Sequence, residues 1–442
     1  MDEKNYFLKQ KIDFDSPNRN IVPITTTVGP DGKLSIGGCS IEELVKQYDS
    51  PIYILDEATL RNSCRAYKNA LKKYYPGDSL PIYASKANSS IFMSNLISSE
   101  GFGLDAVSEG ELLTALEGGV PNKNIVFHGN NKSDNEIEFA VKNKIKVIVD
   151  NDYDLKRLDK ISTLLNEDLE IMIRFTPGIE CHTHEYIRTG SFDSKFGFGI
   201  EYLDELFAHI NNSKYLKLIG LHAHIGSQIF ELDPHKDLGE IMVNVMLEAK
   251  KFGHNINELN LGGGLGIKYT ENDDPPSIDA WVKVISTSVV EACKKHKIDL
   301  PKLMCEPGRS IVSTAGITIY KIGAFKAIPG VRTYLSVDGG MSDNPRPITY
   351  QSNYSACLVS NPFNFNSKKK YTIAGKHCES GDVLLKDIEL ADCKTGDLIC
   401  FFGTGAYNNS MSSNYNRIPR PAALLVKDGE AEIIQKRESP LD

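Results

Sequence analysis

Lys86 stands in the segment YASKANSS, directly after the short apolar run Pro81–Ser85, and its neighbours are small or neutral. An amine that emerges into a desolvated mouth has a lowered pKa and becomes a nucleophile for an aldehyde. Taken alone, the same lysine reads as one that snorkels to the surface. The run Gly262-Gly263-Gly264 in LNLGGGLGI offers backbone N–H groups to a phosphate with no Cβ in the way, or else only a tight turn. Glu306 and Arg309 share the segment CEPGRS. The carboxylate can keep a proton on a pyridine-type nitrogen that faces it, and the guanidinium is a fork for phosphate or carboxylate. A mutual ion pair is the competing reading of those two. His222 and His224 lie two apart on one apolar run, so a strand there turns both to the same face, where one can stack on a flat ring. Metal ligation is the rival, with Cys181, His182 and His184 as further donors, but no spacing matches a zinc pattern, and no metal is expected. Ser227, in HIGSQ, adds a hydroxyl donor for a phosphate.

These residues need elements that bring them together. Eight short apolar, β-branched runs fall at Pro81–Ser85, Phe102–Leu104, Ile125–Phe127, Val147–Val149, Ile171–Ile173, Leu218–Leu221, Leu259–Leu261 and Leu303–Cys305. Segments of helical periodicity lie between most of them: Ser108–Leu116, which opens on a Ser-x-x-Glu capping pattern, Ser133–Val141, Asp152–Leu164, Tyr202–Ile210, Leu238–Phe252 and Ile278–His296. Strand–helix alternation with short connections predicts a parallel sheet, and eight units predict a (β/α)8 barrel. Such barrels carry their chemistry at the C-terminal ends of the strands. The residues at those ends are Lys86, Asp105, His128, Asp150, Arg174, His222 with His224, Gly262–Gly264 and Glu306. Nearly every strand thus delivers an ionisable group, an imidazole or a glycine cluster to one rim, which points to an enzyme. Asp105, His128 and Arg174 are expected either to orient a cofactor from behind or simply to pair with one another. The stretch 177–198 is long enough to cover the mouth as a lid.

After residue 306 the texture changes. Ile311–Phe325, Val331–Val337, Tyr371–Ile373, Leu398–Phe402 and Ala422–Val426 read as strands with few helix signals between them. The α/β chain therefore divides into an N-terminal segment (1–50), a barrel (51–310) and a mostly antiparallel β domain (311–442), the first joining the last in space. A length of 442 residues suits two domains, and 41% hydrophobic with 24% charged residues suits a globular chain with a sizeable core. The net charge of −8 argues against a nucleic-acid binder. The start, MDEKNYFLKQK, has no apolar core of a secretory signal, and no run is long enough to cross a bilayer. Nine cysteines without C-x-x-C pairs fit reduced thiols and a cytoplasmic location.

The ordered set YASKAN, HGNNKS, HTHEYIRTG–SKFG, HAHIGSQ, LNLGGGLG, CEPGRS, VDGGMSDNPRPITY, HCESGD and GTGAY resembles the fold-type III pyridoxal-phosphate decarboxylases, built on an alanine racemase-like barrel, and among them the diaminopimelate decarboxylase family. The likeness runs from PIYILDEATLR at Pro51 to GTGAY at Gly403. It implies that Lys86 forms the Schiff base with pyridoxal 5'-phosphate and that His224 stacks on the ring. Ser227, Gly264 and the CEPGRS loop would hold the phosphate, Glu306 the pyridine nitrogen, and Tyr407 would also touch the cofactor. Arg309, Arg346 and Tyr350 are the positions for the distal carboxylate of the substrate, Glu379 for its distal ammonium, and Cys378 for the proton donor. In this family the HCESGD segment reaches the active site from the other subunit, so the resemblance implies a homodimer with shared sites.

The expected reaction is decarboxylation of meso-2,6-diaminopimelate to L-lysine and CO2, the last step of lysine biosynthesis. A distal zwitterion needs both a cation and an anion, and Arg346 with Glu379 supplies both. The alternatives are decarboxylation of ornithine, arginine or carboxynorspermidine, racemisation on the same fold, and a non-catalytic pyridoxal-phosphate carrier. An ornithine enzyme would leave the distal arginine unpaired, and a carrier has no use for the second domain.

Overall fold

The structure is a computed structural model that describes residues 11–179, 194–360, 362 and 369–442. Cys181, His182 and His184, with most of the stretch expected to form a lid, lie outside the described residues. The chain divides into two compact units: Cys64–Gly266 with Pro275–Gly308, and Met1–Ser63 with Ile267–Asp274 and Arg309–Asp442.

The first unit is a closed eight-stranded parallel barrel. Its strands are β1 (Ser79–Ala84), β2 (Gly103–Ala106), β3 (Ile125–Phe127), β4 (Lys146–Val149), β5 (Leu169–Thr176), β6 (Leu216–His222), β7 (Glu258–Asn260) and β8 (Lys302–Cys305). Each pairs in parallel with the next, and β8 closes onto β1. All eight runs expected from the sequence are strands. Most are buried on both faces, as a parallel sheet covered by helices requires.

Alternation along the strands sorts the barrel interior into layers. Leu80, Ile82, Val126, Ile148, Met172 and Met304 form one apolar cluster. Two residues before Ile148 and Asn260 sit Lys146 and Glu258, which pair with each other at the lower layer, with Lys302 3.4 Å from Glu258. Two residues after Val126, Ile148, Met172 and Met304 come His128, Asp150, Arg174 and Glu306. A single period-two rule therefore carries the polar residues to the top of the same interior.

The helices follow their capping signals. Asp134–Lys142 has a complete reciprocal box: the Ser133 hydroxyl accepts from the Glu136 amide, and the Glu136 carboxylate accepts from the Ser133 amide. At Glu109–Glu117, Ser108 caps the Glu111 amide, but Glu111 accepts from the Val107 amide, so the expected box is only half formed.

The second unit is a mixed, mostly antiparallel sheet in the order Val383–Leu390, Lys369–Ala374, Arg332–Val337, Gly316–Ile328, Ile52–Asp56, Ala422–Lys427 and Glu430–Gln435. Leu398–Phe402 and Ala356–Leu358 pair off Gly316–Ile328. Along Leu398–Phe402, Cys400 and Phe402 enter one apolar core while Ile399 and Phe401 enter another, so this strand is buried on both faces. Two details correct the sequence reading. The stretch expected as one strand from Ile311 begins as a short helix, Arg309–Val312. The segment from residue 51, assigned to the barrel, instead supplies Ile52–Asp56 to the second sheet, antiparallel to Gly316–Ile328 and parallel to Ala422–Lys427. Its five buried residues make it a central strand, which a run without polar alternation cannot reveal.

Candidate active site

At the top of the barrel, Glu306 is 8% exposed and collects three hydrogen-bond contacts, from the last residues of β6 and β7 and from the residue just past β3. Asn260 Nδ2 donates to Oε1 at 2.7 Å, His128 Nε2 lies 2.8 Å from Oε1, and His222 Nε2 lies 3.2 Å from Oε2. Burial pushes the Glu306 carboxyl up, but His128 and His222 outweigh it and hold the group well below the usual carboxylate range. Burial lowers His222 to about 4, so the anion is Glu306 and His222 is neutral. The three side chains His128, His222 and Glu306 also place ligand atoms within 4.8 Å of one another; of these, His222 alone belongs to the donors weighed from the sequence. Their mutual hydrogen bonds account for the arrangement.

Asp105 is buried beside this cluster. Burial, then the Glu306 charge, pushes it up to about 7, against the pull of His128 and Lys86. Its Oδ1 accepts from the Ser85 amide at 2.8 Å, which anchors the turn bearing Lys86. Asp150 and Arg174 stand 3.8 Å apart, and the Arg174 guanidinium lies 4.4 Å from the centre of the Phe196 ring. Asp105, His128 and Arg174 thus do not pair with one another: Asp105 holds the Ser85 amide, His128 contacts Glu306, and Arg174 stands beside Asp150.

Lys86 sits on the one-turn helix Ser85–Ala87 that ends β1, with its side chain exposed. That turn is fixed from several sides. The Ala84 amide donates to Pro307 O at 3.1 Å, and Tyr83 Oη donates to Asn88 O at 3.0 Å. His224 lies just beyond the end of β6 rather than on it. Its Nδ1 accepts from the Gly263 amide at 3.2 Å, which fixes the ring's orientation and leaves Nε2 as the protonated nitrogen. Burial, then the Lys86 charge, lowers its pKa well below the usual value, so it is an uncharged flat ring.

The glycine loop passes where no side chain fits. A Cβ on Gly263 would stand 2.2 Å from the Glu306 carbonyl, and Gly264 has φ +131°. A backbone cradle free of side chains, a neutral imidazole plane, a buried carboxylate and an exposed amine are the donor set that pyridoxal phosphate requires. Ser227 is half-buried in the neighbouring loop.

The second unit carries a separate cluster of cations and phenols. Arg309 and Arg346 are each 5% exposed. Arg309 Nη1 donates to Tyr269 Oη at 2.7 Å, and Arg346 Nη1 donates to Tyr269 Oη at 2.8 Å and to Tyr354 Oη at 2.9 Å. Arg309 also lies 4.8 Å from the centre of the Tyr407 ring, and Arg346 lies 6.0 Å from that of Tyr350. Among the described residues no carboxylate pairs with Arg346; its charge meets only phenol oxygens and aromatic faces. Arg346 opens the short helix Arg346–Tyr350, so Tyr350 is one turn along the same element.

Cys378 and Glu379 are exposed on the turn between Lys369–Ala374 and Val383–Leu390. Asp382 holds that turn. It accepts from the His377 amide at 3.0 Å, pairs with His377 Nδ1 at 2.7 Å, and accepts from the Met341 amide at 2.7 Å. The HCESGD turn and the VDGGMSDNPRP loop leading to Arg346 are thereby tied together. The Cys378 amide donates to Asn416 Oδ1 at 2.9 Å. The eight described cysteines are all free of disulfides.

Against known proteins, residues 57–313 match the family described as pyridoxal-dependent decarboxylase, pyridoxal binding domain. A diaminopimelate decarboxylase of Synechocystis sp. is 50% identical over 97% of this chain and 92% of its own length. A diaminopimelate decarboxylase of Bacillus subtilis is 41% identical over 94% and 95%. The chain belongs to the diaminopimelate decarboxylase family. The crystal structure of diaminopimelate decarboxylase from M. jannaschii in co-complex with L-lysine superposes with a TM-score of 0.88 at 32% identity, covering 95% of this chain and 96% of that one. The pyridoxal-binding match holds Lys86, His224, Ser227, Gly264, Glu306 and Arg309, whereas Arg346, Tyr350, Cys378, Glu379 and Tyr407 lie beyond it and are covered by the whole-chain relatives.

Sequence reasoning missed Asn260, Tyr269 and Tyr354. Asn260 was visible as a polar residue between two leucines, in register with Met304 on β8. Tyr269 and Tyr354 carried no local signal, because their partners are 40 or more residues, and 8 residues, away in sequence. Among the described residues no helix is long and apolar enough to cross a membrane.

Proposed function

We propose that this chain decarboxylates meso-2,6-diaminopimelate to L-lysine and CO2, the last step of lysine biosynthesis, with pyridoxal 5'-phosphate held by the barrel. The observation that carries the choice of substrate is the buried Arg346, which has no carboxylate partner among the described residues. A buried unpaired guanidinium is costly, and an anionic end of a substrate relieves that cost. Ornithine brings no distal carboxylate, and a carrier brings no substrate at all, so neither accounts for it.

When bound, pyridoxal phosphate supplies an electron sink for the pair left behind as CO2 departs. Lys86 would hold its aldehyde carbon, and His224, neutral and oriented by the Gly263 amide, would lie against its ring. Ser227, Gly264, Arg309 and Tyr407 would complete its seat. Glu306 stays anionic and so keeps a proton on a nitrogen that faces it. Arg309, Arg346 and Tyr350 bind the distal carboxylate of the substrate, and Glu379 binds its distal ammonium. Cys378 Sγ–H delivers a proton to the carbon that has lost its carboxylate. Two exposed residues, Cys378 and Glu379, on a turn stiffened by Asp382 suit donation to a second copy of the chain, so the working unit is a homodimer with shared sites. We place it in the cytoplasm, in keeping with its free cysteines.

The test is CO2 release from meso-diaminopimelate, ornithine, arginine and carboxynorspermidine with pyridoxal phosphate added. Turnover of diaminopimelate alone is expected. Ornithine turnover of equal kcat/KM overturns the substrate. Lys86→Ala should lose both the cofactor's imine absorbance and turnover, and continued CO2 release by that variant overturns the role of Lys86.

A further inference from the structure

Tyr269 belongs to none of the sequence motifs, yet its hydroxyl is the atom on which two buried arginines converge. Arg309 Nη1 and Arg346 Nη1 both donate to it, at 2.7 and 2.8 Å. The third contact of this oxygen is Ser313 Oγ, at 3.2 Å. The direction of that bond follows from the next link. Ser313 Oγ lies 2.8 Å from the Gly403 carbonyl, which can only accept, so the serine proton goes to Gly403. Ser313 Oγ then accepts the proton of Tyr269. The phenol oxygen is left with two lone pairs, one for each guanidinium, and its hydrogen-bonding capacity is full.

The residue is also held where it is needed. The Tyr269 amide donates to Asp273 Oδ2 at 3.1 Å, its carbonyl accepts from Ser355 Oγ at 2.9 Å, and its ring packs edge-on against Tyr354 with centroids 5.4 Å apart. Burial alone would raise its pKa, but the two guanidiniums beside it lower it, because both favour negative charge on the phenol oxygen. Two like charges brought to one atom repel each other. Holding them there is a cost in the empty protein and a gain once a carboxylate meets both.

We propose that Tyr269 is a positioning residue that sets substrate specificity: its hydroxyl holds Arg309 and Arg346 together as a two-cation seat for the distal carboxylate. The inference rests on the functional reading above, and deepens it. Tyr269→Phe keeps the ring and its packing and removes only the shared acceptor.

The measurement uses the full-length holoenzyme and two competitive ligands. L-Lysine retains the distal carboxylate, and 1,5-diaminopentane has the same chain without it. Losing one acceptor shared by two charged donors should raise KM for diaminopimelate and Ki for L-lysine by about 10- to 100-fold. The Ki of 1,5-diaminopentane and kcat should stay within about threefold, since neither depends on that seat. Equal weakening of both ligands, or of neither, overturns the proposal. If Tyr269→Phe does not fold, Ser313→Ala decides: it removes the acceptor of the phenol proton, and a rise in Ki for L-lysine without one for 1,5-diaminopentane supports the seat, while parallel changes overturn it. A parent enzyme that does not turn over diaminopimelate sinks the functional reading itself, whereas an active parent with an unaltered Tyr269→Phe variant sinks only this inference.

Discussion

Glu306→Gln separates the charge of the buried carboxylate from its shape. The carboxylate takes contacts from Asn260 at 2.7 Å and His128 at 2.8 Å on one oxygen, and from His222 at 3.2 Å on the other. A glutamine carbonyl in place of Oε1 keeps the first two. Its amide then faces His222 Nε2. His222 is neutral, with a pKa of about 4, and its Nδ1 has no partner. Moving the imidazole proton to Nδ1 turns Nε2 into an acceptor, so all three contacts survive one tautomer change. Neutral hydrogen bonds replace charge-assisted ones, but an anion no longer has to be buried, so the net stability change should be within about 2 kcal/mol. The effect on catalysis is different in scale. Removing one partner of a buried charge pair costs about 3–5 kcal/mol, and each 1.4 kcal/mol is roughly tenfold in rate. The variant should therefore fold, bind the cofactor and lose about two to four orders of magnitude in kcat for CO2 release from diaminopimelate. A cofactor-loaded variant within fivefold of the parent would refute the role given to the charge. A variant that fails to fold would refute the tautomer argument.

Three further outcomes are expected. Burial lowers His222 to about 4 and His235 to about 3 in the folded chain; the unfolded chain takes up protons below about pH 6.5 that the fold refuses, so stability is complete above that pH and falls as the pH drops, by about 2 kcal/mol per histidine at pH 5. His235→Phe, which keeps the edge contact to Trp281 at 5.3 Å, should spare one such loss between pH 8 and pH 5 in urea melts, and an unchanged pH dependence would count against the burial argument. Lys132 and Asp154 form an ion pair with no exposed side-chain surface, and Lys132 also donates to the Gly129 and Ile148 carbonyls at 2.6 and 2.8 Å; Lys132→Met should cost about 3–5 kcal/mol, and adding Asp154→Leu should restore most of it, as read by denaturant midpoints. Mixing inactive Lys86→Ala and Cys378→Ala chains by unfolding and refolding together should recover roughly a quarter of parental activity if each site draws on two subunits, because half the dimers are mixed and each holds one intact site; no recovery argues for sites complete within one chain.

The barrel half of the site was legible because one rule governs it. A strand that is apolar at one interior position and polar two residues later delivers that polar group above the core, and Val126 to His128, Ile148 to Asp150, Met172 to Arg174 and Met304 to Glu306 all obey this. The rule does not find Asn260, because the residue two before it is the charged Glu258 and Asn260 itself stands in register with Met304. The rule fails in the second unit. Tyr269, Arg309 and Arg346 meet across 40 and 77 residues of sequence, and the segment Ile267–Asp274 leaves the barrel's run of sequence to join the other unit. The strand Ile52–Asp56 fails for a related reason: buried on both faces, it has no alternation to say which sheet it serves. Local patterning therefore locates the groups proposed to hold the cofactor, since each rises from its own strand. The seat proposed for the distal carboxylate pairs distant segments around one phenol oxygen, and only the folded chain displays that atom. Substrate choice is accordingly the part of the function most exposed to a single conservative change, and a tyrosine hydroxyl outside every motif is where that change should be made.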